Sequence, residues 1–310
     1  MSLAFVFPGQ GSQKVGMLAE LAEQYPVIQA TFAEASEALG YDMWDMVQNG
    51  EQETLNLTEN TQPILLTSST ALYRLWCEKS ELRPTMMAGH SLGEFSALVA
   101  AGALQFQDAV RLVRDRGRFM QTAVPVGEGA MAAVLGLDDE KISEICAASS
   151  EAGVVEAVNF NAPGQVVIAG QVAAVDAAIA ACKEAGAKRA MPLPVSAPFH
   201  TSLMRPAGEK LAEAIAGINI SAPSIPVVHN VHAQTESDPE RIRELLVEQI
   251  YSAVKWVDCV NSLIEAGVDS TLECGPGKVL GGLNRRVQKS LTVYAIEDIK
   301  GLDAALEATK

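Results

Sequence analysis

Four times along this chain a short apolar run stops at a tight turn and a helical pattern follows, and that recurrence decides the class of fold. Leu3 to Phe7 runs into the glycine-rich PGQGSQ turn at 8–13 and a helix pattern near Met17 to Ala22. Met86 to Gly89 precedes a helix pattern from Leu92, Val227 to Asn230 precedes one from about Pro239, and Thr271 to Glu273 precedes GPGKVLGGLNRRV. Apolar runs this short suit strands buried on both faces. Strands alternating with helices imply a mostly parallel sheet, with sites at the carboxyl ends of its strands.

The stretch from about 130 to 195 has a different order: strand (Ala130 to Leu137), helix (Asp139 to Ala148), strand (Val154 to Phe160), strand (Gln165 to Ala169), helix (Val172 to Ala185), strand (Arg189 to Val195). This is the split βαβ, ferredoxin-like pattern. The expected fold is therefore α/β, a mostly parallel-sheet, α/β-hydrolase-like large domain at 1–125 and 199–310 with a ferredoxin-like domain inserted at 126–198.

Bulk properties narrow the function. With 310 residues, 48% hydrophobic and 20% charged, the chain has the make-up of a globular protein. Its 23 basic and 38 acidic residues give a net charge of -15, which argues against nucleic acid or an anionic membrane as the main partner. Five scattered cysteines with no CxxC spacing indicate neither a disulfide framework nor a zinc site, so a reducing cytoplasm is expected. The N-terminal run lacks a basic lead-in and a cleavage site, and no apolar stretch reaches the roughly 18 residues of a membrane span.

Chemistry concentrates at AGHSLGEF. Gly89-His90-Ser91-Leu92-Gly93 fits the G-x-S-x-G elbow, in which small residues let the chain turn from strand to helix and expose the serine hydroxyl. The competing reading is a tight glycine turn with an N-capping serine. A nucleophilic serine needs a base, and the chain has four histidines. His90 sits inside the elbow, its side chain expected to point away from Ser91. His200 ends SAPFH, at the junction of the two domains and so facing the cleft between them. His229 and His232 follow a strand and are the alternatives, in either a catalytic or a structural role.

In AVRLVRDRGRFMQTAV, helical spacing puts Arg111, Arg114 and Arg118 on one stripe. Arg116 lies about 140° from Arg111, in the arc held by Leu112, Val113, Phe119 and Met120. An arginine on an apolar face needs an anion, either a substrate carboxylate or an internal salt bridge. PGQGSQ lacks the Lys-Ser/Thr ending of a phosphate loop. It can instead offer the N–H of Gln10 to an oxyanion, paired with the N–H of Leu92 just after the serine.

GQGSQ, GHSLGE, RGRFMQ, SAPFH and ECGPGKVL, in that order over the whole chain, resemble the malonyl-CoA:acyl carrier protein transacylases within the acyltransferases of fatty acid and polyketide synthesis. The resemblance implies Ser91 as nucleophile, His200 as base, Arg116 as clamp for the malonyl carboxylate, and the N–H groups of Gln10 and Leu92 as oxyanion hole. It also implies a main-chain carbonyl near Gln249 that orients the histidine. Phe199, with Met120 beside it in the pocket, matches the malonyl-selecting form of the histidine motif, whereas Pro198 departs from that motif's usual wording. The implied partners are malonyl-CoA and an acyl carrier protein, with no metal and no resident cofactor, coenzyme A entering only as the substrate thioester. Because that carrier is itself acidic, local basic clusters must dock it: Lys188-Arg189, and Arg285-Arg286 with Lys289 on the helix after GPGKVL. Three rivals stand beside this reading. A trans-acting acyltransferase of a polyketide pathway shares all of these residues; a serine esterase or thioesterase shares the elbow but has no need of Arg116; a non-catalytic carrier-binding module needs none of Ser91, His200 and Arg116.

Overall fold

The computed structural model describes residues 2–195 and 197–310, so Ser196, at the head of SAPFH, lies outside the described residues. Among the described residues, nine strands form two sheets: Leu3–Phe7 (β1), Met86–Gly89 (β2), Gly129–Leu135 (β3), Val155–Ala162 (β4), Gln165–Gln171 (β5), Arg189–Pro192 (β6), Val227–Val228 (β7), Ser270–Glu273 (β8) and Thr292–Ala295 (β9). The larger sheet has the order β7-β2-β1-β8-β9 with every neighbouring pair parallel. Its central strand is buried along its whole length. Leu3, Phe5 and Phe7 face one core, and Ala4 and Val6 face a second core on the opposite side. This two-sided burial is why the run reads as apolar rather than alternating. Phe5 meets Trp76 of the helix Thr58–Lys79 edge-on at 5.4 Å.

The smaller sheet, order β4-β5-β3-β6, is antiparallel throughout and ferredoxin-like in its strand order. Helices Asp139–Ala148 and Val172–Glu184 cover one face through Ile142, Val175, Val166 and Ile168. Met131, Val158, Val167 and Ala169 on the other face join the main core. The main body also extends the β4 edge: Phe160 N donates to Val254 O at 3.0 Å and Val254 N to Val158 O at 2.8 Å.

Two strands are shorter than the sequence suggests. The run from Val227 to Asn230 keeps two residues in the sheet, because Asn230 N turns to Glu94 and His229 N to Gln234 O. The run from Arg189 to Val195 stops at Pro192, where Pro192 and Pro194 bring no N–H to a ladder. In the helix Phe106–Thr122, Leu112, Val113 and Met120 are buried with Arg116, whereas Phe119 is half-buried. Among the described residues, all five cysteines are unpaired and no helix is long and apolar enough to cross a membrane.

Candidate active site

Three strand ends of the parallel sheet converge on Ser91. β2 ends at Gly89, and the helix Leu92–Ala100 starts directly behind the serine. The turn is so tight that a Cβ on Gly89 would sit 1.9 Å from the Gly93 carbonyl, and one on Gly93 would sit 2.0 Å from Phe7 O. Ser91 itself has φ 51°, and His200 has φ 64°. Both side chains thus ride on left-handed backbone, a strained state that non-glycine residues hold only where their surroundings fix it. At the elbow the splint is Asn230, just beyond β7: its Oδ1 accepts from Ser91 N at 2.8 Å and its Nδ2 donates to Gly89 O at 2.8 Å.

Ser91 Oγ lies 2.7 Å from His200 Nε2, and His200 Nδ1 lies 2.9 Å from the main-chain carbonyl of Gln249. A carbonyl only accepts, so Nδ1 carries the proton and Nε2 accepts from the serine hydroxyl. That carbonyl is available because Gln249 closes the helix Pro239–Gln249, and the last carbonyls of a helix have no partner within it. His200 is buried. Burial first, then the charge of Arg116, pull its imidazole down to about 3, an effect that the Gln249 carbonyl opposes.

Arg116 is 1% exposed. Nη1 donates to Gln62 Oε1 at 2.9 Å, while Nη2 donates to Gln249 Oε1 at 2.8 Å and to Ser91 Oγ at 3.3 Å; among the described residues Nε has no partner. The internal salt bridge, one of the two readings open from sequence, is therefore not formed: its hydrogen bonds go to neutral groups. Burial lowers the guanidinium to about 10, against the opposing pull of Glu94. The result is a desolvated cation facing the nucleophile with capacity to spare for an anion.

The N–H groups around Ser91 are used selectively. Gly11 N donates to Gln13 Oε1, Ser91 N to Asn230, Gly93 N to His90 O and Glu94 N to Ser91 O. Among the described residues, the N–H groups of Gln10 and Leu92 take no internal partner, and both residues line the cavity over the serine. That cavity, of about 140 Å³, has Gln62, Arg116 and Met120 on one side and Met131, Val167, Leu193, Val195 and Phe199 on the other. Its polar lining is Gln10, Gln62, His90, Ser91, Arg116, Asn159 and His200.

The remaining histidines are elsewhere. His90 turns away from the serine, its Nε2 at 2.7 Å from Asn161 Oδ1. His229 is buried against Glu94, Nδ1 to Oε1 at 2.7 Å, and His232 stands beside it with ring centroids 6.0 Å apart. Sequence reasoning missed Gln62, Asn230, Glu94 and the side-chain role of Gln249. For Asn230 the signal was its place directly after a strand, and for Glu94 its place in GHSLGE.

The basic clusters lie outside the cavity lining, and Lys188, Arg189, Arg285, Arg286 and Lys289 are all exposed. Arg189 pairs with Leu135, Leu135 pairs with Gln165, and Arg286 Nη1 donates to Gln165 Oε1. Gln165, which Arg286 reaches, is therefore two strand spacings, about 10 Å, from Arg189, which places both clusters toward the same end of the small sheet. Arg189 is about 13 Å along the strand from cavity-lining Leu193. Lys289 is not on the helix, which ends at Val287, but in the turn beyond it.

Known proteins resemble this chain over nearly its whole length. The acyl transferase domain family model matches residues 4–299. The malonyl CoA-acyl carrier protein transacylase of Escherichia coli K12 is 56% identical over 304 residues, 98% of each chain. The crystal structure of the acyl-carrier-protein S-malonyltransferase of Burkholderia pseudomallei 1710b superposes with TM-score 0.97 at 53% identity, covering 99% of this chain and 100% of that one. A malonyl-transacylase in complex with a type II PKS acyl-carrier protein superposes with TM-score 0.98 at 52% identity, covering 99% and 100%. With its serine elbow, its histidine held by a main-chain carbonyl and this likeness over nearly the whole length, the chain belongs to the acyl transferase family.

Proposed function

We propose that this chain moves a malonyl group from malonyl-CoA to the phosphopantetheine thiol of an acyl carrier protein, through a malonyl ester on Ser91. His200 Nε2 takes the hydroxyl proton as Oγ attacks the thioester carbonyl; the proton then goes to the departing coenzyme A sulfur. In the second half the carrier's thiol gives its proton to His200, its sulfur attacks the ester carbonyl, and Ser91 leaves with that proton. The N–H groups of Gln10 and Leu92 receive the oxyanion in both halves, the latter at a helix N-terminus whose dipole favours negative charge. The reaction requires no metal and no resident cofactor, and we place it in the cytoplasm, in keeping with five unpaired cysteines.

The observation that carries this reading is Arg116: a buried guanidinium without a carboxylate, 3.3 Å from the nucleophilic oxygen. An esterase has no use for it. Pairing with a malonyl carboxylate also cancels the positive charge that depresses His200, so the correct substrate strengthens the base. Arg116→Ala is expected to lower malonyl transfer about ten- to hundredfold more than acetyl transfer, the scale of a charge-assisted pair worth ~1.5–3 kcal/mol. Loading rates with malonyl-CoA and acetyl-CoA measure this, and equal losses for both would count against the clamp.

The pathway is read as fatty acid synthesis; the solved complex with a polyketide carrier makes a carrier of that kind the second reading. For either carrier we place the docking surface on Lys188, Arg189, Arg285, Arg286 and Lys289, where two clusters form one basic patch on a chain of net charge -15. Reversing Lys188-Arg189 and Arg285-Arg286 to glutamates is expected to slow transfer to the carrier, with a loss that shrinks as salt rises past about 0.1 M, and to affect loading of Ser91 less. Stopped-flow transfer at two salt concentrations checks it; an unchanged rate at low salt removes the patch from the account.

A further inference from the structure

Behind the nucleophile lies a buried carboxylate that the reaction scheme does not use. Glu94, in the first turn of the helix Leu92–Ala100, is fully buried. Its Oε1 accepts from His229 Nδ1 at 2.7 Å, and its Oε2 accepts from Asn230 N at 2.9 Å and Gln249 Nε2 at 2.8 Å. A buried charge with this many donors around it is built in rather than incidental.

The partner that matters is Gln249. An amide seen in a structure can usually be turned end for end, but here its orientation follows from its neighbours. Arg116 only donates, so Gln249 must turn its Oε1 toward Arg116 and its NH₂ toward Glu94. The same NH₂ also reaches Ser91 O at 3.1 Å. Two of the residues that Glu94 grips directly therefore bear on the reaction. Asn230 splints the elbow, and Gln249 holds both the guanidinium of Arg116 and, by its main chain, Nδ1 of His200.

We infer that Glu94 is a positioning residue: acting through the Gln249 side chain, it aims Arg116 at the acyl carboxylate. This rests on the malonyl-transfer reading above. In Glu94→Gln the oxygen at 94 stays with Asn230 N and the Gln249 NH₂ while the new NH₂ turns to His229 Nδ1, so the bond that holds Gln249 against Arg116 becomes a weaker amide–amide bond. The guanidinium is then aimed less firmly, and the preference for malonyl over acetyl is expected to fall about fivefold or more, whereas a merely structural role would lower both substrates together.

The test is a double-mutant cycle on that preference, with Glu94→Gln, Gln249→Met and the pair, each checked by its melting temperature. Gln249→Met removes the amide and keeps the main-chain carbonyl. The pair is expected to show the preference of Gln249→Met alone. Equal losses for malonyl and acetyl in Glu94→Gln, or losses that multiply in the pair, would overturn the inference. If Glu94→Gln does not fold, the unaltered protein decides by NMR: the Gln249 side-chain amide should exchange slowly with solvent, and rapid exchange would overturn the assignment. A wild-type chain that shows no malonyl preference would sink the malonyl-transfer reading itself, which separates the two failures.

Discussion

Ser91→Ala loses covalent malonyl loading altogether, and transfer to the carrier falls with it, by about 10⁶-fold, the scale on which removal of the serine from a serine-histidine pair acts. The size follows from the scheme: both half-reactions pass through the same oxygen, so no partial route remains. Among the described residues, Ser91 is the one residue lining the cavity that carries a hydroxyl or thiol. The substitution should also be benign for the fold, since alanine removes one oxygen from a turn whose shape is set by Gly89, Gly93 and Asn230. Radiolabelled malonyl retained on the variant, with its melting temperature unchanged, would remove Ser91 from the mechanism.

His200→Ala is expected to cost about 10²–10⁴-fold in each half-reaction, the usual contribution of a positioned base. The same loss should appear with malonyl and acetyl, which distinguishes it from Arg116→Ala. A pH profile adds a second check. A base works in its deprotonated form, and an imidazole pulled down to about 3 is already deprotonated across the neutral and mildly acidic range. The kcat/KM for loading is therefore expected to show no acid limb between roughly pH 5 and 8; a limb near the ordinary histidine value would mean that the free site is not desolvated as the structure has it. Linkage gives the matching sign for stability. A histidine whose folded pKa lies below its unfolded value stabilises the fold fully above about 6.5, and that contribution is lost as pH falls from about 6.5 toward about 3.

The elements legible in the sequence are those with a local cause. The GHSLG elbow could be read because two glycines are forced by backbone that would come within 1.9 and 2.0 Å of any Cβ there, and a constraint of that kind shows in a single sequence. Arg116 could be read because helical geometry alone puts it on the apolar arc. The small sheet could be read because six elements came in a distinctive order. By contrast, the helix Thr58–Lys79 is buried without a break from Thr61 to Leu72, with Thr61, Gln62, Thr67, Ser68 and Ser69 among its apolar residues, so polarity does not tell its inward positions from the rest. That helix supplies Gln62, and the same blindness hid the residue.

The network of Glu94, His229, Asn230 and Gln249 was hidden for a different reason. Its members are 135 to 155 positions from Glu94 in sequence, and only the folded sheet and the helix end bring them together. The base-orienting carbonyl belongs in the same class, since every residue has one and only position distinguishes Gln249. Its place came from family resemblance rather than from the residues themselves. The basic clusters were found as separate charges, and the strand pairing Gln165-Leu135-Arg189 is what joins them.

The central claim is that a malonyl ester on Ser91 stands between malonyl-CoA and the carrier. Intact-mass spectrometry after brief exposure to malonyl-CoA, followed by peptide mapping and then addition of holo acyl carrier protein, tests it in one sequence. The account predicts one added malonyl per chain, on the peptide bearing Ser91, which disappears as the carrier gains it. A chain that never gains the malonyl mass while the carrier still becomes malonylated, or a malonyl mapped to any other residue, would contradict it.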